Sequence, residues 1–226
     1  MARPADPLRR AAIIQAALEH FAEVGFANAK VGDIAEKCKA GKGTIYHHFV
    51  TKEDLLLEAV LHHCALARAD VDKALGGAGG WSTAMPTSGS GTLADPDRAL
   101  FHLLKTIMAV IPRAGQPRTT LFVDLWAASR SRPDILVKAQ ARLSDMYVQW
   151  ESLIAYLVMA GQAKGLFRHG MAGRTLARIC TTAMDGQIWQ LTFRPEAADP
   201  DYPRQFAESI LCGLLADPAR IAEVRS

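Results

Sequence analysis

The sequence has no apolar run near the roughly 18 to 20 residues that a membrane-spanning helix requires. A membrane protein is therefore not expected. The N-terminal stretch MARPADPLRR is charged, and Ile13 and Ile14 are soon interrupted by Gln15 and Glu19, so it does not read as a secretory signal. Cysteine is sparse: Cys38, Cys64, Cys180 and Cys212 are scattered, with no C-x-x-C pair. They read as small buried hydrophobes in a reducing compartment, which points to a cytoplasmic protein without disulfide or zinc. Also missing are an H-x-x-x-H pair, a phosphate-binding G-x-x-x-x-G-K-[ST] loop and a G-x-S-x-G nucleophile turn. Adjacent His62 and His63 point to different faces of a helix and cannot easily chelate together. No enzyme chemistry, cofactor or metal is expected.

What is present suits a globular chain with a real core: 226 residues, 50% apolar and 22% charged. The net charge of +3 says little about partners. Up to residue 60, eight basic residues are balanced by eight acidic ones. Placement says more. Between Lys30 and Lys52 stand five lysines against two acids, with His47 and His48 added, which concentrates a modest basic face in one short stretch.

The apolar pattern is helical almost throughout, so the fold class is all-α. A first helix is expected over about 7–24, with Ile13, Ala17, Leu18 and Phe21 on one stripe and Gly25 as its stop. Two short helices follow, about 31–37 and 42–49. A longer one begins after Thr51, where Thr51-Lys52-Glu53-Asp54 has the form of a capping box, and runs to about Leu75. The stretch Gly76–Pro96 holds six glycines and no helical period, and it reads as a mobile loop carrying the lone Trp81. Beyond it the pattern predicts helices over about 97–111, 119–132, a long one ending at Gly165, 172–193 and 202–216. No strand pattern competes and no repeat is visible.

Val31-Gly32-Asp33-Ile34-Ala35, a turn, and Gly41-Lys42-Gly43-Thr44-Ile45-Tyr46-His47-His48-Phe49 make a helix-turn-helix. Ile34, Ala35, Ile45 and Phe49 are expected to face inward. Lys42, Thr44, Tyr46, His47 and His48 then fall on or near the exposed side, as donors suited to phosphate oxygens and base edges. Small Gly41 and Gly43 allow a close backbone approach to another surface.

Lys30–Leu55 resembles the DNA-binding signature of the TetR/AcrR family, which reads V-x-D-I-A, a turn, G-x-x-Y-x-H-F and K-E-x-L. This chain has V-G-D-I-A, G-T-I-Y-H-H-F and K-E-D-L, and I-I-Q-A-A-L-E-H-F-A-E-V-G-F is similar to the family's first helix. The resemblance implies a three-helix DNA-binding domain (residues 1–53) and a larger helical domain for ligand binding and dimerisation (54–226), about nine helices in all. It implies an Ω-shaped homodimer on a palindromic operator in double-stranded DNA, repression as the default, and a small-molecule effector. Carried over by position, Lys42 and Thr44 contact bases or nearby phosphate, Tyr46, His47 and Lys52 contact phosphate, and His48 lies near the groove. Thr44 has an alternative as a plain helix residue. Two positions depart from the pattern. Lys30 replaces a Ser or Thr cap but can reach a phosphate, and Lys39 occupies a turn position where Gly is common. Arg9 and Arg10 read either as a minor-groove arm or as a solvated helix start.

The later helices are rich in large apolar residues, most of which must be core. With the resemblance in hand, an effector pocket for an apolar or amphipathic molecule is expected among Leu104, Met108, Phe122, Trp126, Trp150 and Met184. Asp185, in an apolar stretch, needs a partner: either a polar ligand group or a neighbouring helix. Gly186, Trp189, Phe193, Ile210, Gly213 and Leu214 alternate small and large residues on the last two helices, the expected dimer seam.

Overall fold

The structure, a computed structural model, describes residues 6–74, 95–110 and 120–225. All but the last two residues of the Gly76–Pro96 stretch, Trp81 included, lie outside the described residues. Ten α-helices are present among those described: α1 Pro7–Val24, α2 Val31–Lys37, α3 Lys42–His48, α4 Lys52–Ala74, α5 Pro96–Val110, α6 Leu121–Ser131, α7 Pro133–Ala163, α8 Gly173–Phe193, α9 Tyr202–Leu214 and α10 Ile221–Arg225. No strand occurs among them. Pro96, expected to end the loop, instead opens α5, where its missing N–H costs nothing.

The chain divides into two compact units. Met1–Leu66 and Gln116–Ser144 form the first; Ala67–Gly115 and Asp145–Ser226 form the second. The division expected from the motif, after residue 53, followed the resemblance alone. Packing groups the chain differently, because Leu121, Leu125, Ile135 and Ala139 join the same buried cluster as Phe21, Ile34, Ile45 and Leu55. Helical spacing shows that such residues are buried, not against what.

In the first unit, Asp6 caps α1 by accepting the Leu8 N–H at 3.0 Å, and Pro7 supplies a preset first turn. Gly25, at φ +76, ends the helix with its N–H on the Phe21 carbonyl at 2.9 Å. α4 starts at Thr51, whose Oγ1 accepts the Asp54 N–H at 3.1 Å. The same hydroxyl donates at 2.8 Å to the Asp54 carboxylate, which also interacts with the Thr51 backbone, as the expected box requires. Acidic residues of α4 then meet the basic start of α7. Glu53 faces Arg132 at 3.5 Å, Asp54 faces Lys138 at 2.6 Å, and Glu58 bridges Arg10 at 2.9 Å and Arg142 at 3.1 Å.

The second unit has its own core, with Leu100, Leu104, Trp150, Leu153, Leu157, Phe167, Leu176 and Leu211 all buried. Burying each such side chain stabilises the unit by about 1.5–3 kcal/mol. Its tightest approach is at Gly161, where a Cβ would fall 2.1 Å from the buried Phe167 ring, so only glycine fits. The chain then closes on itself through Arg168 N–H to the Leu214 carbonyl at 2.8 Å and Ala216 N–H to the Leu166 carbonyl at 2.9 Å.

Candidate DNA-binding surface and ligand cavity

The helix-turn-helix is built from a buried inner side and an open outer side. Ile34, Ala35, Ile45 and Phe49 are buried, which seats α3 on the first unit's core and fixes which of its residues remain outside. The turn between α2 and α3 is a Schellman closure: Ala40 N–H bonds the Ala35 carbonyl at 2.8 Å and Lys39 N–H bonds Glu36 at 3.1 Å. That closure requires a left-handed residue, and Lys39 supplies it at φ +51. The geometry that glycine usually adopts is therefore kept, with strain carried by a lysine.

The outer side holds Lys30, Lys42, Tyr46 and His47 exposed, with Thr44 and His48 partly covered. Lys30 takes the N-cap position of α2 without making a capping bond. Neither Lys30 nor Lys42 has a carboxylate within ion-pair distance among the described residues. Two neighbouring cations are committed, whereas exposed Lys39 has no ion pair among those residues: Lys37 holds Glu23 at 2.5 Å, and Arg10 holds Glu58 while lying 5.2 Å over the Phe49 ring. Arg9 and Arg10 are thus part of α1 rather than an arm, with the Arg9 guanidinium near the Cys38 carbonyl at 3.5 Å. Gly43, in the first turn of α3, would meet nothing within 4 Å of an added Cβ, so its backbone is open to an approaching surface. His48 turns partly inward, its Nδ1 buried without a partner and its ring 5.5 Å from that of His47.

Lys52 is placed differently from the other candidates. Its ammonium donates to the carbonyls of Phe26 at 2.7 Å and Ala29 at 3.0 Å and lies 4.3 Å over the Phe26 ring. It ties the α1–α2 connection to the start of α4. The K-E-x-L spacing cannot reveal this, because the partners are backbone atoms more than twenty residues away.

In the second unit, Leu104, Ile107 and Met108 of α5, Trp150 and Ile154 of α7, Cys180, Thr181 and Met184 of α8 and Phe206 of α9 surround a small cavity. It encloses about 10 Å³, close to the least that holds one water molecule. Four of the expected lining residues, Leu104, Met108, Trp150 and Met184, meet there. Phe122 and Trp126 do not. They belong to the first unit, Phe122 packed against its core and Trp126 56% exposed beneath Arg130. Ile107, Ile154, Cys180, Thr181 and Phe206 were not singled out by sequence reasoning, since nothing separates them from ordinary core residues. The lining carries no charge. Burial pushes the Cys180 thiol up to about 12, so it stays protonated, and the Thr181 hydroxyl is spent on the Arg178 carbonyl at 3.1 Å. Asp185 stands outside this lining, accepting the Tyr147 hydroxyl at 2.8 Å. Its partner is therefore a neighbouring helix, one of the two alternatives the sequence left open.

Along α8, Ile179, Thr182, Gly186, Trp189 and Phe193 recur at three- and four-residue steps. Trp189 and Phe193 stack at 5.9 Å with their planes 11° apart, and they are 46% and 70% exposed. Gly186 and Gly213 would each meet nothing within 4 Å of an added Cβ. Ile210 packs partly against the core. Leu214, expected on the dimer face, is buried in its own unit, because it follows Ala207 and Leu211 on the inner stripe of α9.

Comparison with known proteins finds family matches over the N-terminal and C-terminal parts of the chain. Residues 13–59 match the model of bacterial regulatory proteins of the tetR family, and residues 101–216, just over half the chain, match the C-terminal region of BetI-type transcriptional repressors. The HTH-type transcriptional repressor NicS of Pseudomonas putida is 25% identical over 69% of this chain, an alignment that spans 64% of NicS. The HTH-type transcriptional regulator UidR of Escherichia coli is 43% identical over 61 residues, 26% of this chain and 31% of its own length. In fold, the chain is similar to a transcriptional regulator from Saccharomonospora viridis solved in complex with choline, with a TM-score of 0.69 at 24% identity, over 94% of this chain and all of that one. The helix-turn-helix, the helices of the second unit and both family matches agree: this chain belongs to the TetR family of transcriptional regulators, with a C-terminal region of the BetI repressor type.

Proposed function

We propose that this chain represses transcription as a cytoplasmic homodimer on a palindromic operator, and that a small neutral, apolar or amphipathic molecule releases it. The observation that carries the DNA side is the pair of uncommitted lysines, Lys30 and Lys42, beside exposed Tyr46 and His47, while nearby Lys37 and Arg10 are held by Glu23 and Glu58. Unpaired cations next to aromatic and imidazole donors suit phosphate and base edges. Thr44 and His48 complete the reading face at its rim. Lys52 supports that face from within by holding the α1–α2 connection.

The effector side rests on the cavity. Its lining is uncharged, which suits a neutral molecule better than a cation such as the choline of the Saccharomonospora viridis regulator. A ligand of ordinary size needs on the order of 300 Å³ or more, so binding must part the side chains around Met108, Met184 and Phe206. A molecule that binds only the opened core shifts the protein toward that state, and this difference in affinity is what a release mechanism requires. The homodimer is supported by the exposed α8 stripe that ends in stacked Trp189 and Phe193, with bare Gly186 and Gly213 allowing close helix approach.

Selection of genomic DNA fragments by the purified chain at moderate salt tests the reading. Enrichment of fragments sharing a dyad-symmetric site, its half-sites separated by a whole number of helical turns, supports it. Recovery of random fragments with no shared site contradicts it.

A further inference from the structure

The Lys42 side chain lies across Gly32. A Cβ built on Gly32 would fall 2.6 Å from Lys42 Cε, 3.0 Å from Nζ and 4.0 Å from Cδ. Gly32 is the second residue of α2 and Lys42 the first of α3, so the end of the reading helix's leading lysine is laid over the first turn of the supporting helix. We propose that Gly32 is a specificity-determining position: by having no side chain, it lets Lys42 fold back over α2 and so sets where its ammonium meets DNA. This rests on the DNA-reading function proposed above.

The physical argument has two parts. A lysine has four side-chain torsions, and contact along one side removes some of the freedom that binding would otherwise have to freeze. Gly32 also sits in the first turn of a helix, where glycine brings no helix-forming advantage over alanine. A glycine kept only for helix formation would be a poor choice there; one that leaves room for the lysine has a reason. The obstructing atoms are the far end of a flexible side chain rather than backbone, so Gly32→Ala can fold by moving Lys42 outward.

The experiment compares the parent, Gly32→Ala, Lys42→Ala and the double variant by fluorescence anisotropy. The probes are a duplex the parent selects from a random-sequence pool and a scrambled duplex of equal length, with thermal unfolding measured alongside. Gly32→Ala is expected to unfold no lower than the parent, yet to lose on the order of tenfold in affinity for the selected duplex. Its binding to the scrambled duplex should stay within about twofold. The double variant should bind like Lys42→Ala alone, because without the lysine tip the added methyl displaces nothing. Parental affinity for Gly32→Ala, or a double variant that loses the full product of the single losses, overturns the inference while leaving the DNA-reading function standing. A parent that selects no duplex overturns that function, and this inference with it.

Discussion

The Lys52 ammonium sits 2.7 Å from the Phe26 carbonyl oxygen and 4.3 Å from the centre of the Phe26 ring, so one residue holds both its backbone and its side chain. The Phe26 N–H in turn donates to Asp124 at 3.3 Å, and the Phe26 ring meets Phe21 edge-on at 5.4 Å. The connection between α1 and α2 is thereby pinned by Lys52 of α4, Asp124 of α6 and Phe21 of α1, three residues of the first unit. The lysine fixes the connection that leads into α2, the first helix of the helix-turn-helix.

Lys52→Ala should therefore act on stability first. Hydrogen bonds from a charged group contribute about 1.5–3 kcal/mol, and Lys52→Ala should lower unfolding free energy by an amount in that range. Lys52→Met, which keeps the stem over the Phe26 ring, should lose less. Urea unfolding of both variants decides the matter. Two curves that overlay the parent would show that the bonds to Phe26 and Ala29 contribute nothing.

Lys39 holds a left-handed conformation that costs a side-chain-bearing residue about 1–2 kcal/mol, against a smaller entropic cost for glycine. Lys39→Gly should raise stability by about 0.5–1 kcal/mol. Lys39→Val should lower it by more than that, because branching at Cβ worsens the same clash. A midpoint for Lys39→Gly below the parent's would contradict the Schellman geometry of this turn.

Asp185 gives a pH test. Burial raises its pKa above the ordinary carboxylate value, and the Tyr147 hydroxyl bond offsets only part of this. A raised folded pKa means that the associated stability is present below the unfolded value of about 3.9 and is lost as pH rises through the folded one. Asp185→Asn keeps an acceptor for Tyr147 and removes that loss. It should be more stable than the parent at neutral pH, with the gap closing toward about pH 4. A pH-independent gap would mean that the carboxylate is not titrating against burial.

Helix positions were largely legible because periodicity and punctuation agree. Gly25, Pro133 and Pro203 fall at or beside the observed ends of α1, α7 and α9. The short α10 was not read, since five residues carry no period. The exposed side of the helix-turn-helix was legible through its motif, and the contacts its residues make only in part. Lys42 and Lys52 look alike in sequence, yet one is uncommitted and the other is fastened to two carbonyls. Burial of Leu214, and the gathering of Phe122 into the first unit, depend on which helix packs on which. A single helix's pattern does not contain that information.

The most direct test of the central claim is the salt dependence of binding to a selected duplex, for the parent and for Lys30→Ala, Lys42→Ala and Tyr46→Ala. Phosphate contacts release counterions, so log affinity for the parent should fall linearly with log salt, and the slope should shrink by about 1 for each lysine that contacts phosphate. Tyr46→Ala should weaken every duplex alike. Lys30→Ala and Lys42→Ala variants that keep both the parent's affinity and its slope would contradict the account, because the DNA contact would then lie on another surface.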